Sequence, residues 1–348
     1  MKIGNFELNQ GPVYVIAELS ANHGGSLSTA KKTIDAAKEA GADAIKLQTY
    51  TADTITLNSN KDDFIIKGGT LWDGMNLHQL YDEAHLPWEW HGELFEHAKG
   101  LGIDIFSSPF DKSAVDFLEQ FNPPAYKIAS FEVTDYGLIR YVAARKKPII
   151  ISTGIATLEE IQDVVGICRS EGNNDIVLLK CTSAYPAPLE DANLKTIPIM
   201  AELFDVAVGF SDHTLGIVAP IVAASLGAVV IEKHFVLDKS VESPDSAFSL
   251  DRKEFAEMVD SLRIAEKVSG GVDFSMTDRK KKSRQFSRSL YATDHISTGE
   301  TFTEHNIRSV RPGYGAHPKY LNHFIGQIAK KNFEIGDRLN PSDLGVSL

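Results

Sequence analysis

The sequence predicts an α/β fold: a (β/α)8 TIM barrel followed by a small β-rich C-terminal domain. Eight short apolar runs, rich in Val and Ile and mostly without polar alternation, recur between stretches of helical periodicity. Parallel strands that are buried on both faces have this pattern. Eight βα units in about 265 residues match a barrel in number and in length. Towards the C-terminus the pattern changes to short alternating strands separated by turns.

The barrel elements follow one another in regular order. Glycine often separates a predicted helix from the next strand, as in EAGADAIKLQ, which is a common way to end a helix. The alternative is a doubly wound open sheet, and the absence of G-x-G-x-x-G after any strand argues against it. Strands are predicted over residues 13–20, 44–50, 104–109, 125–130, 148–153, 176–183, 206–213 and 229–235, and helices over 27–40, 88–101, 157–171, 216–226 and 253–268.

Two segments depart from the barrel rhythm. Residues 58–87 form a long insertion after the second strand, and loops of this length usually shape the mouth of a pocket. Near the end of the barrel, TDRKKKSRQFSRSL is basic and polar. It is either a solvated connector or a polyanion site, and we interpret it as a connector. The predicted domains are a barrel of residues 1–278, a linker of 279–286 and a C-terminal domain of 287–348.

The C-terminal domain contains a weak internal repeat. HISTGETFTEHNI and NFEIGDRLNPSDL align Gly299 with Gly336 and Phe302 with Leu339. Each copy predicts a strand, a glycine turn and a short capped helix, and two related halves indicate a pseudo-symmetric module. A module of about 60 residues has a thin core, so we expect it to pack against the barrel or against a second subunit.

Composition and charge exclude several classes of partner. The chain has 35 Lys and Arg, 47 Asp and Glu and a net charge of −12, which argues against nucleic acid or an anionic membrane as the main ligand. No run approaches the roughly 20 apolar residues of a membrane span, and the N-terminus lacks the pattern of a signal peptide. Cys168 and Cys181 form no disulfide framework, which favours a reducing compartment. We therefore expect a cytoplasmic protein that binds neither nucleic acid nor membrane.

Two histidines end consecutive predicted strands, His213 in GFSDHT and His234 in IEKHF. Side chains at the carboxyl ends of barrel strands point towards one space, and imidazole nitrogens are good ligands for several divalent metals. Two structural histidines are the alternative. The matching positions of the pair after matching apolar runs favour a metal site.

Two lysines, Lys46 and Lys127, lie inside otherwise apolar strands, where an unpaired ammonium would be costly. They either form internal ion pairs with Glu18 or Glu232, or clamp a dianion together with nearby Ser and Thr hydroxyls. A Schiff-base lysine is less attractive, because a metal would already polarise the carbonyl. Glu18 is a candidate acid or base near the metal or a lysine counter-ion. These residues predict a metal-assisted barrel enzyme acting on a phosphorylated or carboxylated molecule and a carbonyl compound.

The chain resembles the sialic acid synthase family, whose members condense phosphoenolpyruvate with an amino sugar. Motifs that carry the resemblance occur in the family's order over nearly the whole chain. They are IAELSANHGG, AIKLQTY, FSSPFD, YKIASFE, ISTGIATLEEI, LLKCTSAYPAP, GFSDHT and IEKHF. RSVRPGYG resembles the family's C-terminal antifreeze-like (SAF, β-clip) domain. KLQTYTADTITL, KGGTLWDG, SPDSAFSL and RPGYGAHPKYL resemble the branch of the family that makes pseudaminic acid.

The resemblance implies a role for each matching position. His213 and His234 would hold a divalent metal ion, Mn²⁺, Mg²⁺ or Co²⁺, and Glu18 would be the acid or base beside it. Phosphoenolpyruvate would be held by Lys46, Ser108, Lys127, Ser130, Ser152, Ser183 and Ser211. Gln48, Tyr185 and Asp245 would lie near the sugar. Arg311 would reach the sugar in the other subunit, so the resemblance implies a homodimer with each SAF domain over the neighbouring barrel.

The implied reaction joins phosphoenolpyruvate to 2,4-diacetamido-2,4,6-trideoxy-L-altrose, adds water and releases phosphate by C–O cleavage, giving pseudaminic acid. N-acetylneuraminate and legionaminic acid synthases, which use other amino sugars, are the alternatives within the family. N-acetylneuraminate synthases tend to carry Asn and then an apolar residue before the tyrosine of strand 6. Ser183 and Ala184 stand at these two positions here, which disfavours N-acetylmannosamine. A metal-dependent pyruvate aldolase and a binding module with a barrel scaffold are the alternatives outside the family.

Overall fold

The computed structural model describes residues 1–8, 11–67, 73–241 and 243–344 of the 348-residue chain. The chain divides into two compact units, residues 1–270 and 271–348. The first unit is an α/β barrel, and the second is a small module with a core of its own. None of the helices in the described part of the chain has the length and apolar character needed to cross a membrane.

Eight parallel strands form a closed barrel in sequence order, and the eighth pairs with the first. Each strand lies within a predicted run and is up to three residues shorter, so the predicted (β/α)8 barrel is confirmed and the open sheet is excluded. In the pairing register, Glu18 is level with both Lys46 and His234. The strands, called barrel strands 1 to 8 below, are Tyr14–Glu18, Ala44–Thr49, Asp104–Pro109, Tyr126–Ile128, Ile149–Ser152, Ile176–Cys181, Ala207–Asp212 and Val230–His234.

Helices connect the strands. Several begin with strong capping signals: Thr157 and Glu160 form a capping box, as do Asp251 and Glu254, and each box satisfies amides that the first helical turn leaves unpaired. The α-helices of the first unit are Leu27–Glu39, Ala52–Ile55, Leu77–Ala84, His91–Leu101, Lys112–Glu119, Tyr136–Ala143, Leu158–Ser170, Thr196–Phe204, Val218–Ser225 and Arg252–Ser269.

The predicted insertion of residues 58–87 contains the helix Leu77–Ala84 and a 3-10 turn, Asp62–Phe64. The KGGTLWDG motif spans residues 67–74, and its positions 68–72 lie outside the described residues. Further 3-10 turns occur at Trp88–Trp90, Ser130–Glu132 and Leu189–Asp191. The turn Trp88–Trp90 replaces the start of the helix predicted over 88–101.

Two apolar layers hold the barrel together. Outward-facing strand residues such as Val15 and Ile45 pack against the helices. Inward-facing residues such as Ile16 and Phe106 fill the interior. Ile3 joins them from an N-terminal hairpin, in which Lys2–Ile3 pairs antiparallel with Phe6–Glu7. Because side chains alternate along each strand, and the apolar filling ends before the carboxyl ends of the strands, the polar inward residues collect at that end.

The second unit is built on an antiparallel pair of strands, Ser289–Ala292 and Ile307–Val310. The basic segment 279–286, predicted as a linker, begins within the helix Asp278–Arg284. Short helical segments also occur at Pro318–Tyr320, Leu321–Phe324 and Pro341–Leu344. The buried core consists of Leu290, Ala292, Ile296, Phe302, Ile307, Ala316, Phe324, Ala329, Phe333 and Leu339.

The internal repeat of the second unit is confirmed by equivalent geometry in its two copies. Gly299 and Gly336 have φ values of +90° and +88°, in the left-handed region that favours glycine. The carboxylates of Glu300 and Asp337 each accept a hydrogen bond from the backbone N–H three residues earlier, at 2.9 and 2.8 Å. The predicted helix forms only in the second copy, as Pro341–Leu344, whereas the first copy has a turn there.

A candidate active site at the carboxyl end of the barrel

A cavity of about 360 Å³ lies at the carboxyl ends of the barrel strands. Ten of the predicted site residues line this cavity: Lys46, Gln48, Lys127, Ser130, Ser152, Tyr185, Ser211, His213, His234 and Asp245. Three others, Glu18, Ser108 and Ser183, contact side chains that line it. Arg311 lies in the second unit and is not among the described residues that line the cavity.

Two lysines and two glutamates form a buried charge network beside the cavity. Lys46 Nζ lies 2.7 Å from Glu18 Oε2 and 3.4 Å from Glu232 Oε1. Lys127 Nζ donates a hydrogen bond to Glu232 Oε1 at 2.9 Å, and none of the four side chains is more than 4 % exposed. The internal ion pairs offered as one interpretation of the lysines are therefore present. Both ammonium-bearing side chains also line the cavity, so pairing does not remove them from a ligand's reach.

Burial and charge shift the pKa values of the network in different directions. Burial raises the pKa of Glu18, and the ammonium of Lys46 offsets this effect only in part. Burial also acts to raise the pKa of Glu232, but Lys127 and Lys46 outweigh it and hold that pKa below its ordinary value. Burial lowers the pKa of Lys127 despite the attraction of Glu232. Glu232 is therefore the permanent counter-ion, and Glu18 is the carboxyl better suited to carry a proton.

Serine hydroxyls surround the two lysines. The hydroxyl of Ser152 is buried and has no hydrogen-bond partner among the described residues. A buried polar group without a partner destabilises the folded protein unless a ligand or a water molecule forms a hydrogen bond with it. This hydroxyl is therefore available to donate a hydrogen bond to a bound oxyanion. The remaining contacts run from Lys46 Nζ to Ser108 Oγ at 3.3 Å, from Ser211 Oγ to Glu232 Oε1 at 3.2 Å, and from Ser183 Oγ to Ser130 Oγ at 2.8 Å.

The two histidines approach each other in the cavity, with ring centroids 5.3 Å apart. His213 Nδ1 donates to the backbone oxygen of Thr182 at 2.9 Å, which leaves the lone pair on Nε2. Burial lowers the pKa of both imidazoles, and for His234 repulsion by the ammonium of Lys46, and by His213 when that ring is protonated, lowers it further. His234 Nδ1 is buried without a hydrogen-bond partner among the described residues and lies 3.7 Å from Asp245 Oδ2.

These two imidazoles fit a divalent ion as a partial ligand set. Both are neutral, which is the form that binds metals, and one presents a buried nitrogen without a partner. Among the described residues, no group of three or more His, Cys, Asp or Glu side chains is arranged to hold a metal ion. An ion held by His213 and His234 would therefore take its other ligands from water or from substrate oxygens, as open catalytic metal sites do.

The residues assigned to the sugar lie around the same histidines. Gln48 Nε2 donates to Glu18 Oε1 at 3.1 Å. The ring of Tyr185 lies 4.4 Å from that of His213. Burial raises the pKa of Asp245. Gln48 therefore contacts the charge network, and Tyr185 and Asp245 lie beside the proposed metal ligands. Together they offer amide, phenol and carboxyl groups to a polar ligand.

Glu132 was not predicted as a site residue, but it lines the cavity from the turn Ser130–Glu132. Burial raises the pKa of Glu132 to about 7, and its Oε2 is buried without a hydrogen-bond partner among the described residues. The sequence feature that could have indicated this role is an acidic residue in the turn after barrel strand 4. A carboxyl with a pKa near neutrality can accept or donate a proton at physiological pH.

A second buried ion pair supports both histidines from outside the cavity. Lys233 Nζ lies 2.6 Å from Asp212 Oδ2, and both side chains are fully buried. Asp212 Oδ1 accepts a hydrogen bond from the N–H of Thr214 at 2.8 Å, and Lys233 also donates to the backbone oxygen of Thr214. Asp212 therefore caps the turn after barrel strand 7 and is engaged away from the metal ligands. The pair ties together the strand ends that carry His213 and His234.

Comparisons with known proteins agree with this architecture. Residues 33–273 match the model of the NeuB family, and residues 287–345 match that of the SAF domain. The pseudaminic acid synthase of Campylobacter jejuni is 54 % identical over 99 % of both chains. That of Helicobacter pylori is 48 % identical over 97 % of this chain and 99 % of its own. The spore coat polysaccharide biosynthesis protein spsE of Bacillus subtilis has a crystal structure that matches with a TM-score of 0.68 at 32 % identity, covering 100 % of this chain and 99 % of that one.

These matches confirm the resemblance to sialic acid synthases and to their pseudaminic acid branch, and they confirm the SAF assignment of the C-terminal residues. The family model covers more than half of the chain, and the relatives align over nearly their full lengths. The chain therefore belongs to the NeuB family.

Proposed function

We propose that the chain condenses phosphoenolpyruvate with 2,4-diacetamido-2,4,6-trideoxy-L-altrose and water to give pseudaminic acid and phosphate. The observation that carries this proposal is a single cavity in which a buried lysine pair and a neutral histidine pair face the same space. The lysines suit the anionic donor, and the histidines suit a carbonyl acceptor. The choice of sugar is supported by 48–54 % identity to proteins named pseudaminic acid synthases.

The donor would bind at the lysines. Phosphoenolpyruvate carries a phosphate and a carboxylate, and charge-assisted hydrogen bonds from ammonium groups are the strongest contacts available to them. An ammonium group has three N–H donors, and Lys127 uses one of them for Glu232. Lys46 contacts Glu18, Glu232 and Ser108 and would share its donors with the ligand. The free hydroxyl of Ser152 and the Ser130–Ser183 pair would supply neutral donors to the remaining oxygens.

The acceptor aldehyde would bind near the histidines. His213 and His234 would hold the divalent ion, Mn²⁺, Mg²⁺ or Co²⁺. When bound, such an ion acts as a Lewis acid that polarises a carbonyl oxygen. Gln48, Tyr185 and Asp245 would orient the open-chain sugar around this point, so that the aldehyde carbon meets C3 of the donor.

Two carboxyls would handle the protons. As C3 of phosphoenolpyruvate bonds to the aldehyde carbon, the aldehyde oxygen takes up a proton, for which Glu18 is suited by its raised pKa. Water then adds to C2, and Glu132, with a pKa of about 7, accepts its proton. The C2–O bond to phosphate breaks, and the water oxygen becomes the keto oxygen. The new hydroxyl takes its proton from Glu18, and water loses both of its protons. One of these protons leaves with phosphate, and the other restores Glu18.

The homodimer belongs to the same proposal. Residues 271–348 contain twelve Lys and Arg and eight Asp and Glu, which gives them a net charge of +4. Because the net charge of the whole chain is −12, residues 1–270 carry a net charge of −16. Opposite charges favour association of the basic unit of one chain with the acidic barrel of a second copy. In that arrangement Arg311 would reach the sugar in the partner's barrel.

The test uses purified protein, phosphoenolpyruvate, a divalent metal and a panel of sugars. The panel contains the altrose derivative, a legionaminic acid precursor and N-acetylmannosamine. We expect phosphate release and a product of matching mass with the altrose derivative. Faster turnover of another sugar would replace that assignment. Turnover of pyruvate without phosphate release would establish an aldolase, and sugar binding without turnover would favour a binding module. Phosphoenolpyruvate labelled with ¹⁸O at the bridging position should place the label in phosphate, and its retention in the keto acid would contradict C–O cleavage.

A further inference from the structure

The lining of the cavity combines two kinds of side chain. The lysines, histidines, serines and carboxyls come from the barrel strands and the loops after them. A group of aromatic and aliphatic side chains comes from the segment after barrel strand 2 and from the residue that follows barrel strand 3. We call this group the apolar wall, and it consists of Tyr50, Ile55, Leu80, Tyr81, Ala84 and Phe110. The proposed mechanism uses only the polar and charged lining residues and assigns no role to the apolar wall.

The aromatic part of the apolar wall is held by contacts of its own. The ring of Tyr50 packs edge to face against Tyr81, with centroids 5.8 Å apart, and against Phe110, with centroids 5.0 Å apart. The indole N–H of Trp88 donates to the backbone oxygen of Tyr50 at 3.0 Å. Such packing fixes the position of the rings, so this part of the wall presents a defined surface to a ligand.

The aliphatic part is carried by two helices that are tied together. The helix Leu77–Ala84 contributes Leu80, and the short helix Ala52–Ile55 contributes its last residue. His78 Nε2 and Asp53 Oδ1 lie 2.9 Å apart and join the two helices. These two helices thus bring apolar side chains to a polar site.

The proposed sugar offers groups that match this surface. A 2,4-diacetamido-2,4,6-trideoxy hexose has three methyl groups, one at C6 and one on each acetamido group. N-acetylmannosamine has one methyl group and carries hydroxyls at C4 and C6. Burying methyl groups is favourable, whereas a hydroxyl against apolar side chains loses its hydrogen bonds to water. An apolar pocket discriminates by about 10- to 200-fold for each such difference.

We propose that the apolar wall selects the sugar, with Leu80 and Ile55 as specificity-determining residues that favour 2,4-diacetamido-2,4,6-trideoxy sugars over N-acetylmannosamine. This inference rests on the proposed function and adds to it the part of the protein that recognises the sugar's apolar groups. The proposed phosphoenolpyruvate site consists of the lysines and serines, so the apolar wall would govern use of the sugar and not use of the donor.

The test compares three variants with the wild type. Leu80→Asn and Ile55→Thr place polar groups in the wall at similar side-chain size. Leu77→Asn is the matched control, because Leu77 lies on the same helix, is also half-buried, and is not among the described residues that line the cavity. Equimolar altrose derivative and N-acetylmannosamine compete for each enzyme, and the ratio of product masses gives the ratio of kcat/KM values. Calorimetry measures binding of the two reduced sugars, which cannot react.

We expect Leu80→Asn to lower the selectivity ratio at least about tenfold, through a higher KM for the altrose derivative and an unchanged KM for phosphoenolpyruvate. Ile55→Thr should lower the ratio in the same direction, and Leu77→Asn should leave it within about twofold of the wild type. An unchanged ratio in both wall variants, or an equal fall in Leu77→Asn, overturns the inference.

The two assays separate failure of this inference from failure of the proposed function. If the wild type forms no product from either sugar, the proposed function fails. Tenfold weaker binding of the reduced altrose derivative by Leu80→Asn, but not by Leu77→Asn, would still support the apolar wall. If the wild type forms pseudaminic acid and the wall variants retain full selectivity, the function stands and the inference falls.

Discussion

Replacing Glu132 by glutamine tests the proposed water-activating carboxyl. Burial raises the pKa of Glu132 to about 7, its Oε2 is buried without a hydrogen-bond partner among the described residues, and the side chain lines the cavity. Glu132→Gln keeps the size and shape of the side chain but removes its titration. The replacement should therefore change both the pH dependence of stability and the rate of turnover.

The effect on stability follows from proton linkage. The pKa of Glu132 is about 7 in the folded protein, against an ordinary value of 4.5, so the folded state binds this proton more tightly. Its contribution to stability is complete below the unfolded-state pKa and is lost as the pH rises through 7. Between pH 5.5 and 8 the loss is roughly 2 kcal/mol, or roughly 4 °C in Tm for a unit of this size. The Tm of Glu132→Gln minus the Tm of the wild type should therefore increase by about 4 °C between pH 5.5 and pH 8.

Turnover gives a second, independent measurement. Loss of a general base typically lowers kcat by about 10²- to 10⁴-fold. In the wild type, kcat should fall as the pH drops below 7, because protonated Glu132 cannot accept the proton of water. That acidic limb should disappear in Glu132→Gln. Glu202→Gln, at an exposed position of the helix Thr196–Phe204, serves as the control. A Tm difference that stays constant from pH 5.5 to 8, together with an unchanged kcat profile, would refute the reasoning.

Four further substitutions test the metal, donor and dimer assignments. His213→Ala or His234→Ala should abolish turnover and Mn²⁺ retention with an unchanged circular dichroism spectrum, and full activity of the wild type after exhaustive chelation would contradict this. Lys127→Met should weaken phosphoenolpyruvate binding by about 1.5–3 kcal/mol, seen as a KM increase much larger than that for the sugar, whereas a normal donor saturation curve would make this lysine structural. Arg311→Ala should impair sugar use without changing dimer content, and mixing it with His234→Ala should restore some activity. No gain in mixtures with verified subunit exchange would exclude a shared site.

The barrel could be predicted from sequence because its strands are buried on both faces. Such strands are continuous apolar runs, and every barrel strand falls within one of the eight predicted runs. The carboxyl ends of barrel strands meet on one face whatever the details of the helices. This topological rule was enough to bring Lys46, Lys127, His213 and His234 to one cavity before any coordinates were considered.

The remaining parts of the site depend on information that periodicity does not contain. Glu132 follows a strand within a turn, where the direction of a side chain depends on local backbone dihedrals rather than on alternation. Asp212 could have been a ligand or a cap, and only its contacts with Lys233 and Thr214 distinguish the two. Leu80 is one of several apolar residues in a long insertion, and tertiary packing alone determines that it lines the cavity.

The buried network explains how two lysines can be kept in the barrel interior and still serve a ligand. Burying an unpaired ammonium costs several kcal/mol, and Glu18 and Glu232 provide the compensating charge. The same ion pairs hold Lys46 and Lys127 at the cavity, and Lys127 uses only one of its three N–H donors for Glu232. An anion can therefore gain charge-assisted hydrogen bonds with little movement of the protein, which is the condition under which electrostatic contacts are most effective. Glu232 bridges both lysines, so the arrangement that stabilises the folded barrel is also the arrangement that prepares it for the donor.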